Sequence, residues 1–134
     1  MRLLEYSVTF TLGAVLYTLI EIAWRGHTHW TMTVTGGVCL CVLYLMSGVM
    51  SDAPLPLKWL AGAVAITLIE LVVGCIVNLG LKQGVWDYSG VRLNLLGQIC
   101  LPYSLMWYVL CIPGFFVCGM IKSVLSLLTG AEAG

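Results

Sequence analysis

The sequence predicts an all-α integral membrane protein: a four-helix transmembrane bundle built from two parallel two-helix repeats, with a C-terminal amphipathic segment. Three observations predict it. Hydrophobic residues make up 60% of the 134 and charged residues only 9%. A soluble domain carries about 25% charged residues, so this chain has too few to cover a surface facing water. Four apolar stretches approach the roughly 20 residues that a spanning helix needs. The third observation is a duplicated segment. Gly13-Ala-Val-Leu-Tyr-Thr-Leu-Ile-Glu-Ile22 and Gly62-Ala-Val-Ala-Ile-Thr-Leu-Ile-Glu-Leu71 share seven of ten residues, 49 positions apart. Each copy carries one glutamate at the same place, Glu21 and Glu70.

The first span is expected from about Leu3 to Trp24. No small-residue cleavage site followed by a polar mature domain accompanies it, so it reads as a retained anchor. The connection Arg25–Thr31 leads to a second span from about Met32 to Met50, and Gly26 would permit the turn. Ser51–Pro56, with Asp52, Pro54 and Pro56, suits a tight exit and re-entry. The third span is expected from about Leu57 to Leu79 and the fourth from about Leu95 to Ile112, joined by the longest loop, Gly80–Asn94. Trp24, Trp30, Trp59, Trp86, Trp107 and Tyr108 lie near the inferred ends, as interfacial anchors would.

Pro113-Gly114 is expected to end the fourth helix. Beyond it, Gly119, Lys122, Ser123 and Ser126 fall at i, i+3, i+4 and i+7. One polar stripe on an apolar helix reads as an interfacial segment over 114–129. A single long helix kinked at Pro113 is the alternative.

The whole chain, 1–134, is expected to form one transmembrane domain, with repeat 1 over about 1–51 and repeat 2 over about 57–112. The repeat extends beyond its first motif. Thr33–Leu40 aligns with Asn94–Leu101, sharing Gly36/Gly97, Cys39/Cys100 and Leu40/Leu101 at a spacing of 61. Two crossings return the chain to its starting side, so the copies should share one orientation about an axis along the membrane normal. Basic residues do not orient the whole: Arg2, Lys58 and Lys122 fall on the terminal side, Arg25, Lys82 and Arg92 on the other.

Net charge is zero, so nothing suggests a nucleic-acid partner or a polybasic membrane patch. The six cysteines lie in apolar segments without a Cys-x-x-Cys pair, so they read as buried free thiols. No nucleophile motif, P-loop or glycine-rich phosphate cradle occurs; any ATPase involved must be another chain, and no cofactor is expected.

Chemistry should concentrate where charge enters the apolar segments. A carboxylate at a helix centre costs roughly 2.5–3.5 kcal/mol on insertion scales, and this chain carries two. Glu21 and Arg25 are four apart and can pair on one helix, either pinning its end or serving a site. Glu70 has no basic residue within four positions. It must find a partner in space, take up a proton or meet water; Arg92 is the candidate partner, and a Ser, Thr or Asn hydrogen bond is the plainer reading. His27 and His29 could shuttle protons or, with Glu21 and Asp87, bind metal. His-x-His alone is a weak metal signal, so no metal is expected. Asp87 could simply cap a turn, and Asn94 the fourth helix. Asn94 and Gln98, four apart, would share a helix face in the bundle, and Pro102 would free a carbonyl near the middle of that helix. The expected solute-binding set is Glu21, Arg25, His27, His29, Glu70, Asp87, Arg92, Asn94 and Gln98; no catalytic residue is assigned.

Glu21, the run Arg25-Gly-His-Thr-His-Trp-Thr-Met32 with Gly36-Gly37, and Trp86-Asp-Tyr-Ser89 with Asn94, Gly97 and Ser104-Leu105 resemble a family of small bacterial membrane proteins, the putative ABC-transporter type IV permeases (CmpB-like). The resemblance spans most of Gly13 to Trp107 and implies a polytopic helical protein of the bacterial inner membrane. It carries no catalytic role. The first expectation for function is a permease-like protein binding or moving a small polar or anionic solute through the Glu/Arg site. The alternatives are a membrane-embedded enzyme acting on a lipid-linked substrate and a non-transporting accessory subunit. A four-helix monomer offers little room for a translocation path, so a homo-oligomer or a larger membrane partner is expected.

Overall fold

A computed structural model describes residues 2–26, 29–80, 94–95 and 99–129. Among the described residues four helices make up the body: α1 (Arg2–Arg25), α2 (Trp30–Val49), α3 (Leu55–Gly74) and α4 (Leu101–Thr129). All four are long and apolar enough to cross a membrane. A π-helical turn, Cys75–Gly80, extends α3, and two-residue strands β1 (Asn94–Leu95) and β2 (Ile99–Cys100) pair antiparallel before α4.

Local chemistry sets the helix ends. α1 stops at Gly26, whose φ of 80° suits a residue without Cβ, and whose N–H closes the last turn on the Ile22 carbonyl at 2.8 Å. His29 caps α2: its Nδ1 accepts from the Thr31 N–H at 3.3 Å and lies 2.7 Å from Thr31 Oγ1. Pro54 and Pro56 open α3, where the first turn needs no N–H donor.

The fourth helix differs from expectation at both ends. It begins at Leu101 rather than Leu95, so Pro102 sits in the first turn and removes no helical hydrogen bond. Asn94 lies in β1 opposite Cys100 instead of opening the helix, and it shares no helical face with Gln98. At the other end α4 continues through Pro113 to Thr129. A proline costs a spanning helix one backbone bond, which neighbouring helices and local adjustment can absorb. The segment 114–129 is therefore the second half of α4. Its residues Cys118, Ile121 and Leu125 are buried against the bundle, while Gly119 and Ser123 are exposed. At 1.5 Å per residue, 29 residues make a helix about 43 Å long, more than the ~30 Å of hydrocarbon.

α2 and α4 hold the middle, each touching the other three helices. Their core contains Cys39, Leu40, Leu43, Tyr44, Cys111, Cys118, Ile121 and Leu125, with Ile66 from α3. α1 and α2 approach backbone to backbone. A Cβ on Gly13 would lie 2.6 Å from Leu40 Cβ and 2.8 Å from the Gly36 carbonyl oxygen, and one on Gly36 would run into Tyr17. Such small-residue contacts let helices pack without a hydrophobic drive between them. Outward, Val15, Leu19, Leu68, Val72, Leu105, Val109 and Phe116 are exposed. Apolar residues covering the outside suit a bilayer and not water.

The contacts within the two helix pairs correspond. Thr18 Oγ1 lies 2.8 Å from Thr33 Oγ1, and Thr67 Oγ1 lies 2.9 Å from Ser104 Oγ. Gly13 packs on Leu40, and Gly62 on Cys111. Phe10 meets Gly37, while the Trp59 and Tyr108 rings meet edge to face. In each case the α1 residue plus 49 gives the α3 residue, and the α2 residue plus 71 gives the α4 residue: 18 and 67, 33 and 104; 13 and 62, 40 and 111; 10 and 59, 37 and 108. The helix starts, Trp30 and Leu101, obey the same offset. The expected spacing of 61 instead sets Thr33–Cys39 against the strands and undescribed residues before α4, and Leu40 against its first residue, Leu101.

Candidate functional site

Glu21 and Glu70 each stand four residues before the end of an α-helix, at Arg25 and Gly74. α1 and α3 run in the same direction, so both carboxyls lie toward the end of the bundle that carries Gly26 and Gly80. Both are buried within the single chain, with 7% and 5% of their surface exposed, instead of facing outward as Leu19 and Leu68 do.

The Glu70 carboxylate accepts a hydrogen bond from the indole N–H of Trp107, Nε1 to Oε1, at 2.5 Å. Side chains in helices lean toward the N-terminus. Trp107 therefore reaches toward the start of α4, which is the end where Glu70 lies. Its ring stacks on Tyr17 at 5.8 Å between centroids, with 19° between the planes. Tyr17 and Glu21 are one helical turn apart on α1, so they share a face. The Thr18–Thr33 and Thr67–Ser104 bonds pair hydroxyls between helices next to this cluster, and Thr35 donates to the Thr31 carbonyl at 2.7 Å. Two acidic groups, a stacked aromatic pair and several hydroxyls thus gather inside apolar helices, where polar groups must satisfy one another.

Of the residues expected at the site, Glu21 and Glu70 are buried in this cluster. His29 is half-buried at the start of α2, where it is the cap. Arg25 is the last residue of α1 and Asn94 belongs to β1; their side chains lie outside the described residues, as do His27, Asp87, Arg92 and Gln98 altogether. Among the described residues no three His, Cys, Asp or Glu side chains gather as metal ligands, and Cys39, Cys41, Cys75, Cys111 and Cys118 are free thiols.

Sequence reasoning missed Trp107 and Tyr17. Trp107 reads as an interface anchor because it lies near an inferred helix end. The available signal was chemical: an indole N–H inside a span needs an acceptor, and Glu70 lacked a local partner.

A family model described as Putative ABC-transporter type IV matches residues 6–131 of the chain. No curated protein and no solved structure matches it.

Proposed function

The chain belongs to the Putative ABC-transporter type IV family, and from that premise we propose that it is a permease-like membrane protein whose Glu/Arg site binds or moves a small polar or anionic solute. The observation that carries this reading is the burial of Glu21 and Glu70 at equivalent helix positions. A fold needing only four greasy helices would not keep two groups that each cost roughly 2.5–3.5 kcal/mol to insert at a helix centre. Arg25 and Arg92 attract the solute; guanidinium groups suit carboxylate and phosphate oxygens. Glu21 and Glu70 balance that charge or carry protons, and His27, His29, Asp87, Asn94 and Gln98 are the further members of the proposed solute-binding set.

The two helix pairs are copies of one unit in the same orientation. What supports the duplication is the single pair of offsets, 49 and 71, that relates three interhelical contacts. The protein works in the bacterial inner membrane as a homo-oligomer or beside a larger membrane partner, because one four-helix unit leaves little room for a path. An ATPase, where one is used, is a separate chain.

The test is solute flux into proteoliposomes, with a panel of small anions and polar solutes, comparing wild type, Glu70→Gln and Glu21→Gln. Loss of a charged interaction worth about 1.5–3 kcal/mol should lower flux roughly tenfold or more. Flux untouched by Glu70→Gln removes that residue from the mechanism. No flux of any solute from wild type favours an accessory subunit instead.

A further inference from the structure

We propose that Trp107 is the positioning residue of the acidic site, holding the Glu70 carboxyl through its indole N–H while its ring ties that carboxyl to the helix that carries Glu21. The inference deepens the solute-binding reading and rests on it for the purpose of the site, but its geometry stands apart from that reading. Three helices meet at this one side chain. Trp107 belongs to α4, its N–H donates to Glu70 of α3, and its ring face lies on Tyr17 of α1.

The two contacts use different parts of the indole, the polar edge and the apolar face. Neither competes with the other, and a shift of Tyr17 must tilt the ring whose edge holds Glu70. Tyr17 is one turn from Glu21, so a change felt by Glu21 moves the same face of α1. Residues 17 and 66, and 36 and 107, correspond under the offsets that relate the helix pairs. Where the second pair has Trp107, the first has Gly36, and a Cβ there would run into Tyr17. The first pair thus brings Tyr17 close over a glycine, and the second supplies the indole against which Tyr17 stacks. The two glutamates are therefore not interchangeable: only Glu70 has a tryptophan at the facing position of its own helix pair.

The test reads the Glu70 side-chain carboxyl carbon by NMR, in full-length protein with carbon-labelled glutamate in nanodiscs. The resonance is identified by its loss in Glu70→Gln. Trp107→Phe keeps a ring but removes the N–H, and it should move the resonance. Tyr17→Leu, which removes the ring stacked on the indole, should also move it. A resonance unmoved by Trp107→Phe or by Tyr17→Leu overturns the proposal. In the flux assay, Trp107→Phe should lower transport about as much as Glu70→Gln, roughly tenfold. A carboxyl signal that responds as expected, in a protein that moves no solute, retains the positioning role and sinks the transport reading.

Discussion

Glu70 and Trp107 show how one buried pair can be both a cost and a constraint. The carboxyl loses water on insertion, and the indole N–H returns one hydrogen bond. Removing the acceptor alone strands the donor. Glu70→Leu should therefore destabilise the protein by about 1–3 kcal/mol, the usual penalty for an unpaired buried polar group. The double variant Glu70→Leu/Trp107→Phe should recover part of the loss. A double-mutant cycle measured by reversible denaturation in mixed micelles should give a coupling of roughly 0.6–1.7 kcal/mol, the range found for interhelical hydrogen bonds. Additive effects would mean that the bond contributes nothing. The burial of Glu21 and Glu70 was legible in the sequence because a carboxyl within an apolar run has few tolerable environments. The identity of Glu70's partner was not. Trp107 follows Glu70 by 37 positions, and only the register of α3 against α4 brings them together.

Elements were legible to the extent that local chemistry decides them. The first three spans follow from apolar length and from the breakers Gly26, Pro54 and Pro56. The fourth was misplaced at both ends because proline has two meanings. Pro102 marks a helix start, where its missing N–H costs nothing, and Pro113, itself exposed, is carried inside a helix anchored to the bundle on either side by the buried Cys111 and Cys118. His29 shows a related ambiguity, since a histidine beside a polar loop reads equally as ligand or cap. As the cap of α2 it should be replaceable: His29→Ala should cost about 0.5–2 kcal/mol and His29→Asn should restore most of it. A loss of flux in His29→Asn at unchanged thermal stability would separate the proposed solute-site role of His29 from its capping role. The α1–α2 seam makes a sharper claim. Gly36→Val drives a side chain into Tyr17 and should cost about 1–3 kcal/mol or more from overpacking. Gly119→Ala, with nothing within 4 Å of the added carbon, should be neutral or stabilising by up to about 1 kcal/mol. Equal melting temperatures for these two variants would contradict the close approach of α1 and α2.

At the scale of the whole molecule, duplication and topology stand or fall together. Two copies of a two-helix unit share an orientation only if each unit crosses the membrane twice. The connection between α2 and α3 must then lie on the same side as the end of α4, and the connection after α1 on the other. Basic residues cannot decide this, because three fall on each side, and an even split also permits the chain to insert both ways up in antiparallel pairs. The packing is more informative. Lys122 lies 5.2 Å from the centre of the Tyr44 ring, and a Cβ on Gly48 would lie 3.2 Å from its amine. The second half of α4 therefore runs beside the last turns of α2, toward Asp52. Single cysteines in a cysteine-free background, labelled from one face of sealed vesicles, should place Asp52→Cys and Leu128→Cys together and Gly26→Cys opposite. Labelling of positions 52 and 128 from opposite faces would mean that α4 does not complete its crossing, and the parallel copies would lose their basis. Labelling of every position from both faces would instead identify antiparallel pairs, leaving each chain's fold intact and giving the acidic sites of two partners opposite entrances.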